Sequence, residues 1–321
     1  MNELHYHLDG GLRLSTILDL YEKTYYYNNK KPSPFVSIDQ LKKELIITSP
    51  VESLDASLKP FEITLAVLQT AYGLERAAYE AVLDLNADGV DYAEIRFAPA
   101  SHLQLGLNQR QAIDAVISGI SRGVSELKKA EKEMKVGLIL CMMRGYPSDV
   151  NMETVALAHI FSGTIVCGID IAGDEEKYPL YEYIDEFKYA ASLRVPFTIH
   201  CGEVDSRLNM LLAIDLGAKR IGHGTNAIYY PDVIDALKAK DILVECCVSS
   251  NFLTGAVKNK LKHPIKALYK AGVKVIPCAD DTTIFNTTTS KEILYIRNNM
   301  DMTYDELSQM QDWGDEARLL K

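Results

Sequence analysis

Residues 164–203, TIVCGIDIAGDEEKYPLYEYIDEFKYAASLRVPFTIHCGE, hold two short apolar runs, TIVCGIDIA (164–172) and PFTIHC (196–201), with a helical pattern between them. Neither run alternates apolar and polar residues as a half-exposed strand does. Near-continuous apolarity is what a parallel strand covered on both faces requires. Six further runs have the same character: ELHYHL (3–8), VDYAEIRFA (90–98), KVGLILCMM (135–143), RIGH (220–223), ILVECCVS (242–249) and VKVIPCA (273–279). Helical spacing is clear between them, as in Ala78, Val82 and Leu85, or Ile113, Val116, Ile120, Val124 and Leu127. Eight strands each followed by a helix predict an α/β fold, a (β/α)8 TIM barrel. The alternative, an open doubly wound sheet, is weakened because no GxGxxG loop follows any run.

No Pro/Gly/Ser-rich linker or exact repeat interrupts the chain, so residues 1–321 read as a single barrel domain. One spacing is irregular. About eighty residues separate the first two strands, and they include TYYYNNKKPSPF (24–35) and a helical stretch, SLDASLKPFEITLAVLQTA (53–71). An insertion over about residues 24–75 in a loop that follows a strand sits at the barrel mouth and is a candidate lid.

Composition is that of a soluble globular protein, 47% apolar and 24% charged. The net charge of −10, with basic residues scattered among acidic ones as in LKKAEKEMK (127–135), argues against a nucleic-acid or anionic-membrane surface. No stretch is long and apolar enough to span a bilayer, and no signal for a protein partner or an oligomer is legible. All six cysteines fall in apolar runs without CxxC spacing, as reduced core residues do. The few residues before His5 leave no room for the basic head and apolar stretch of a leader, so the expected location is cytoplasmic.

The chain has only seven histidines, and four of them end predicted strands. His5, His7 and Asp9 share one face of the first strand, with the two imidazoles roughly 6.6 Å apart along it. His200 and then Glu203 close strand five, His223 closes strand six, and Asp280 and Asp281 follow strand eight. Barrel enzymes keep their chemistry at these C-terminal ends. Three imidazoles and a carboxylate, His5, His7, His200 and Asp280, suit one Zn2+ or a related divalent ion with a position left for water. Glu203 in a dry site is a proton donor to a ring nitrogen. His223 could take or orient the proton of the attacking water, with Asp280 sharing that task, and Asp281 could fix the plane of a nitrogen heterocycle. Asp9-Gly-Gly-Leu reads equally as a helix N-cap or as a substrate contact.

These motifs resemble the adenosine deaminase family. ELHYHLDGG is similar to its first metal motif, GIDIAGDE to its substrate-binding strand end, TIHCGE to the third ligand with the catalytic glutamate, RIGHG to the catalytic histidine and CADD to the terminal acidic pair. VDYAEIRFAP and CVSSNFLTGA are also similar to family segments, and the likeness runs from residue 3 to about 290. The resemblance implies one Zn2+ per chain on His5, His7, His200 and Asp280, catalysis by Glu203, His223 and Asp280, and a substrate lined by His7, Asp9, Gly173 and Asp281. Within that set it implies base contacts from the Gly173 backbone and Asp281, and a ribose hydroxyl contact from Asp9. Related adenine and aminodeoxyfutalosine deaminases carry HLEG where this chain has HLDG, which favours a nucleoside. The family's apolar gate is matched by Leu54, Leu58 and Phe61, while Ser57 replaces the first aromatic; an amphipathic helix packed on the barrel is the alternative reading.

The reaction implied is hydrolytic deamination of adenosine and 2′-deoxyadenosine to inosine and 2′-deoxyinosine, a step of purine salvage. Related 6-aminopurines such as 5′-methylthioadenosine or adenine are the first alternative, and a non-catalytic nucleoside-binding protein of the same fold the second. A two-metal barrel hydrolase would carry a bridging lysine at the end of strand four, yet Lys177 comes later. A base-editing deaminase would show PCxxC, whereas Pro277-Cys278 is followed by Ala-Asp-Asp. AMP is disfavoured because Asp9 would repel its phosphate.

Overall fold

In the computed structural model, which describes residues 1–25 and 33–320, eight parallel strands follow one another in chain order: β1 (Asn2–His7), β2 (Tyr92–Phe97), β3 (Lys135–Met143), β4 (Val166–Ala172), β5 (Thr198–Cys201), β6 (Arg220–His223), β7 (Leu243–Cys246) and β8 (Val275–Pro277). Strands β1 to β4 pair in sequence, as do β5 to β8. Parallel bridges between Ile169 and Phe197 and between Tyr6 and Asp280 join the two halves into a ring. The second closure is a pair of backbone bonds, Asp280 N–H to His5 O at 2.8 Å and His7 N–H to Asp280 O at 3.3 Å. The barrel expected from the apolar runs is therefore present.

Fourteen α-helices are found among the described residues: α1 (Leu14–Leu20), α2 (Ile38–Leu45), α3 (Leu54–Leu58), α4 (Phe61–Val67), α5 (Ala71–Ala87), α6 (Gln109–Lys129), α7 (Ser148–Ile160), α8 (Ile184–Ser192), α9 (Arg207–Leu216), α10 (Pro231–Ala239), α11 (Val248–Leu253), α12 (Ile265–Lys270), α13 (Thr289–Asn299) and α14 (Tyr304–Glu316). Several expected runs extend one or two residues past their strands, and one extends three. ILVECCVS was expected to be extended to residue 249, but β7 ends at Cys246 and Val248 opens α11. A buried strand and a buried helix are both continuously apolar, so hydrophobicity alone does not mark the change.

The insertion holds α2, α3 and α4, and residues 26–32 of TYYYNNKKPSPF lie outside the described residues. The stretch 53–71 is not one helix. Ser53 caps α3 by accepting the Ala56 N–H, and Pro60, which has no N–H to extend a ladder, stands between α3 and α4. Thr70 then caps α5 by accepting the Gly73 N–H, so residues 71–75 belong to an outer barrel helix and not to the insertion.

Apolar side chains fill the space between strands and outer helices, but the barrel interior is charged. Glu94, Arg96, Asp170, Arg220 and Glu245 are all fully buried. Arg220 Nη2 donates to Glu94 Oε2 at 2.5 Å and its Nε to Glu245 Oε1 at 2.5 Å. Arg96 donates from Nη2 to Glu245 Oε2 at 2.9 Å and from Nη1 to Asp170 Oδ2 at 2.6 Å. Below this network, Trp313, Ala317 and Leu320 pack on Leu4, Tyr92 and Ile276 and cover the N-terminal end of the barrel. None of the described helices is long and apolar enough to cross a membrane.

Candidate active site

Strand alternation turns His5 and His7 into the barrel, and β5 delivers His200 to meet them. Ligand nitrogens of the three rings lie within 4.8 Å of one another. His7 Nε2 faces His200 Nε2 at 3.1 Å, and Asp280 Oδ1 stands 3.5 Å from both His5 Nε2 and His7 Nε2. Two carboxylates stand behind the rings. His5 Nδ1 lies 2.6 Å from Glu245 Oε2 and His200 Nδ1 lies 2.8 Å from Asp170 Oδ2, which turns each Nε2 toward the common centre. His5 Nε2 is buried there without a hydrogen-bond partner.

The electrostatics favour a positive charge at that centre. Burial and the Arg96 guanidinium push the His5 imidazole down, yet the Asp280 and Glu245 carboxylates beside it raise it to about 9. Burial opposes ionisation of Asp280, but the His5 ring 3.5 Å away and the other imidazoles around it hold it well below the usual carboxylate range. Burial pushes His7 and His200 down, toward the neutral form a ligand needs. Three imidazole nitrogens, one ionised carboxylate oxygen and carboxylate partners behind two of the rings fit a divalent cation of the zinc type.

Glu203 occupies the wall beside this centre. Its loop is held by Glu175, whose carboxylate accepts the Gly202 and Glu203 N–H groups, each at 3.1 Å. Burial, with Asp280 and Glu175 nearby, pushes the Glu203 carboxyl up to about 8, so at neutral pH it carries a proton. His223 Nε2 lies 3.6 Å from Glu203 Oε2, and burial drives the His223 imidazole well below its ordinary value. His223 and Asp280 both leave their strands with left-handed backbone, φ 66° and 64°, an uncommon conformation of the kind found where a side chain is aimed at a site.

Asp281 and Asp9 complete the floor. Burial and the charge of Asp280 push Asp281 well above the usual carboxylate range, and burial raises Asp9 to about 6. The Asp281 carboxyl packs so close to Gly10 that a Cβ there would come within 1.8 Å of it. Asp9 caps no helix: α1 begins only at Leu14 with Arg13 before it, and Asp9 Oδ1 is buried without a partner. Gly173 has φ +106°, which opens its backbone to the cleft.

The cleft is lined by His7, Asp9, Gly173, His200, Glu203, His223, Asp280 and Asp281, with Leu54, Leu58 and Phe61 from α3 and α4 over it. His5 lies directly behind. Ser57 also faces the cleft; it is buried and donates to Leu54 O at 2.6 Å, filling little of the space an aromatic would take. Among the described residues, no lysine or arginine lines the cleft. Sequence reading missed Asp170, Glu245 and Glu175, the carboxylates that hold the site's histidines and loop. The first two carried a signal: a lone acid within an otherwise apolar inward-facing strand, as in GIDIA and LVEC.

The family model for adenosine deaminase matches residues 1–319. The chain belongs to the adenosine deaminase family. It is accordingly a hydrolase acting on a carbon–nitrogen bond. Adenosine deaminase of Enterococcus faecalis is 36% identical over 310 residues, covering 96% of this chain and 88% of that one. Adenosine deaminase of Clostridium botulinum is 38% identical over 297 residues, covering 91% and 84%. Among solved structures, the Arabidopsis N6-mAMP deaminase MAPDA superposes with a TM-score of 0.86 at 27% identity over 99% of this chain and 93% of that one. The adenine deaminase of Arthrobacter aurescens shares the fold at a TM-score of 0.86 and 21% identity.

Proposed function

We propose that this adenosine deaminase family member hydrolyses the 6-amino group of adenosine and 2′-deoxyadenosine, giving inosine or 2′-deoxyinosine and ammonia, with one Zn2+ on His5, His7, His200 and Asp280. The observation that carries the reading is the buried Glu203 carboxyl on the same cleft as four converging donor atoms. A bound ion of this kind supplies water acidified toward neutral pH. Asp280 and His223 would orient the attacking water toward the ring carbon. Glu203 donates its proton to the neighbouring ring nitrogen as the ring loses aromaticity, and the neutral Asp281 donates to a second ring nitrogen. The Gly173 backbone borders the base, Asp9 accepts from a ribose hydroxyl, and Leu54, Leu58 and Phe61 close over the nucleoside and exclude water.

The curated relatives named adenosine deaminase support this substrate, while the Arabidopsis neighbour acts on a nucleoside monophosphate. Asp9 on the floor, with no lysine or arginine among the described residues that line the cleft, favours an uncharged nucleoside. The test is a panel of adenine, adenosine, deoxyadenosine, 5′-methylthioadenosine, AMP and N6-methyl-AMP, assayed for product with metal content measured on the same sample. Adenosine and deoxyadenosine turn over fastest and one equivalent of metal is found; preference for a phosphorylated substrate refutes the reading. Asp9→Ala lowers kcat/KM for adenosine by about tenfold or more, the worth of one hydrogen bond to a charged group, and leaves adenine much less affected. Equal losses on both would remove Asp9 from the ribose.

A further inference from the structure

Outside the donor set, a line of hydrogen bonds runs from the start of α12 to the catalytic cleft, and every step has a determinate direction. Ile265 N–H lies 3.2 Å from His263 Nδ1. A backbone N–H only donates, so His263 Nδ1 carries a lone pair, and the neutral ring bears its proton on Nε2. That Nε2 is 3.0 Å from Asn251 Oδ1. The Asn251 amide is thereby oriented with its NH2 toward His223 Nδ1, also at 3.0 Å. An amide NH2 cannot accept. All three side chains are buried, His223 at 2%, Asn251 at 0% and His263 at 4% exposure, so no solvent competes for these groups.

We infer that Asn251 and His263 are positioning residues that fix His223 as the Nε2–H tautomer, so that it enters the reaction as a hydrogen-bond donor and not as the base. Its Nδ1 lone pair is occupied by Asn251, and Nε2, the ring nitrogen on the Glu203 side, already carries hydrogen. Such an imidazole holds the oxygen of the attacking water and stabilises negative charge developing on it. Proton acceptance then belongs to Asp280, the carboxylate that lines the same cleft. The role in turnover rests on the deaminase reading given above; the tautomer does not.

The decisive variant is Asn251→Asp, in which a carboxylate accepts from both neighbours and His223 moves its proton to Nδ1. Ring 15N resonances of His223, recorded on metal-loaded and on metal-stripped enzyme and assigned by their loss in His223→Asn, report the tautomer directly. Expected are a protonated Nε2 and bare Nδ1 in the parent and the reverse in Asn251→Asp. The kcat for adenosine falls on the order of 10²–10⁴-fold, the range for an imidazole held in the wrong tautomer, with little change in KM. If Asn251→Asp does not fold, His263 provides the same test. His263→Gln keeps a donor where Nε2 stood and retains the tautomer and most of kcat, whereas His263→Leu frees the amide to rotate and loses both. A parent His223 with its proton on Nδ1, or an Asn251→Asp enzyme with unchanged tautomer or unchanged kcat, overturns the inference. The substrate panel fails separately from this: no deamination of any purine alongside a protonated Nε2 would refute the proposed function and leave the tautomer relay standing.

Discussion

A single carboxyl decides whether this site works at neutral pH. Glu203 must hold a proton to give it away, and burial beside Asp280 places its titration at about 8. Below that pH it is a competent acid; as pH rises through 8 the competent fraction falls, so kcat/KM for adenosine drops about tenfold per pH unit on the alkaline side. Glu203→Gln keeps metal and substrate binding but lowers kcat by at least ~10²-fold, and rate–pH profiles with bound-metal analysis check both statements. A residue outside the site has the opposite sign. His102 is fully buried, its Nδ1 lies 3.1 Å from Leu68 O and its Nε2 has no partner, so burial lowers the imidazole to about 4. Because the folded value lies below the unfolded one near 6.5, the stability is complete above pH 6.5 and is lost as pH falls from 6.5 toward 4, by about 3 kcal/mol for this one group. Urea denaturation at pH 7.5 and 4.5 measures the loss, and it shrinks by that amount in His102→Gln.

At the scale of elements, one strand contributes a donor and another its support. β1 brings His5 and β7 brings Glu245 behind it; β5 brings His200 and β4 brings Asp170. Glu245 also neutralises Arg96 and Arg220, both fully buried. Glu245→Leu therefore strands two guanidinium groups and removes the acceptor that orients His5. It costs about 3–5 kcal/mol in urea unfolding and about 10–100-fold in metal affinity. Glu245→Gln keeps an acceptor for His5 and loses less metal affinity, which a metal titration of both variants resolves. The strands and donors were legible in the sequence because both signals are local: a continuous apolar run, and a histidine or acid where it stops. The supporting partners were not, because Glu245 and His5 are 240 residues apart and only barrel closure brings them together. The β7 boundary was hidden for a different reason, since apolarity continues unbroken from strand into α11. In the insertion, proline and the Ser53 and Thr70 caps marked breaks that the apolar spacing of residues 53–71 concealed.

For the molecule as a whole, the charged interior connects the site to the far end of the barrel. From the cleft downward run His5, Glu245 and Arg220 and then Glu94, with Arg96 branching to Asp170 and His200. Three carboxylates (Glu94, Asp170, Glu245) against two guanidinium groups (Arg96, Arg220) leave a net −1 beneath the imidazoles, and a cation above them offsets it. The lower end depends on the segment after α14. Arg220 Nη1 donates to Ala317 O at 2.9 Å, and Glu94 Oε1 accepts the Leu319 N–H at 2.6 Å, while Leu320 packs over Leu4 and Tyr92. Ending the chain at Glu316 removes those partners and admits water to a pair that is 0% exposed. Two charged groups each losing a hydrogen bond predict destabilisation on the order of 3 kcal/mol, read as a lower urea midpoint. The His5 and His200 carboxylate pairs lie higher in the barrel and are untouched, so one equivalent of metal is still bound under native conditions and kcat for adenosine stays within a few-fold of the parent. A large fall in metal content with an unchanged urea midpoint would reverse this assignment and make the closing segment part of the site itself.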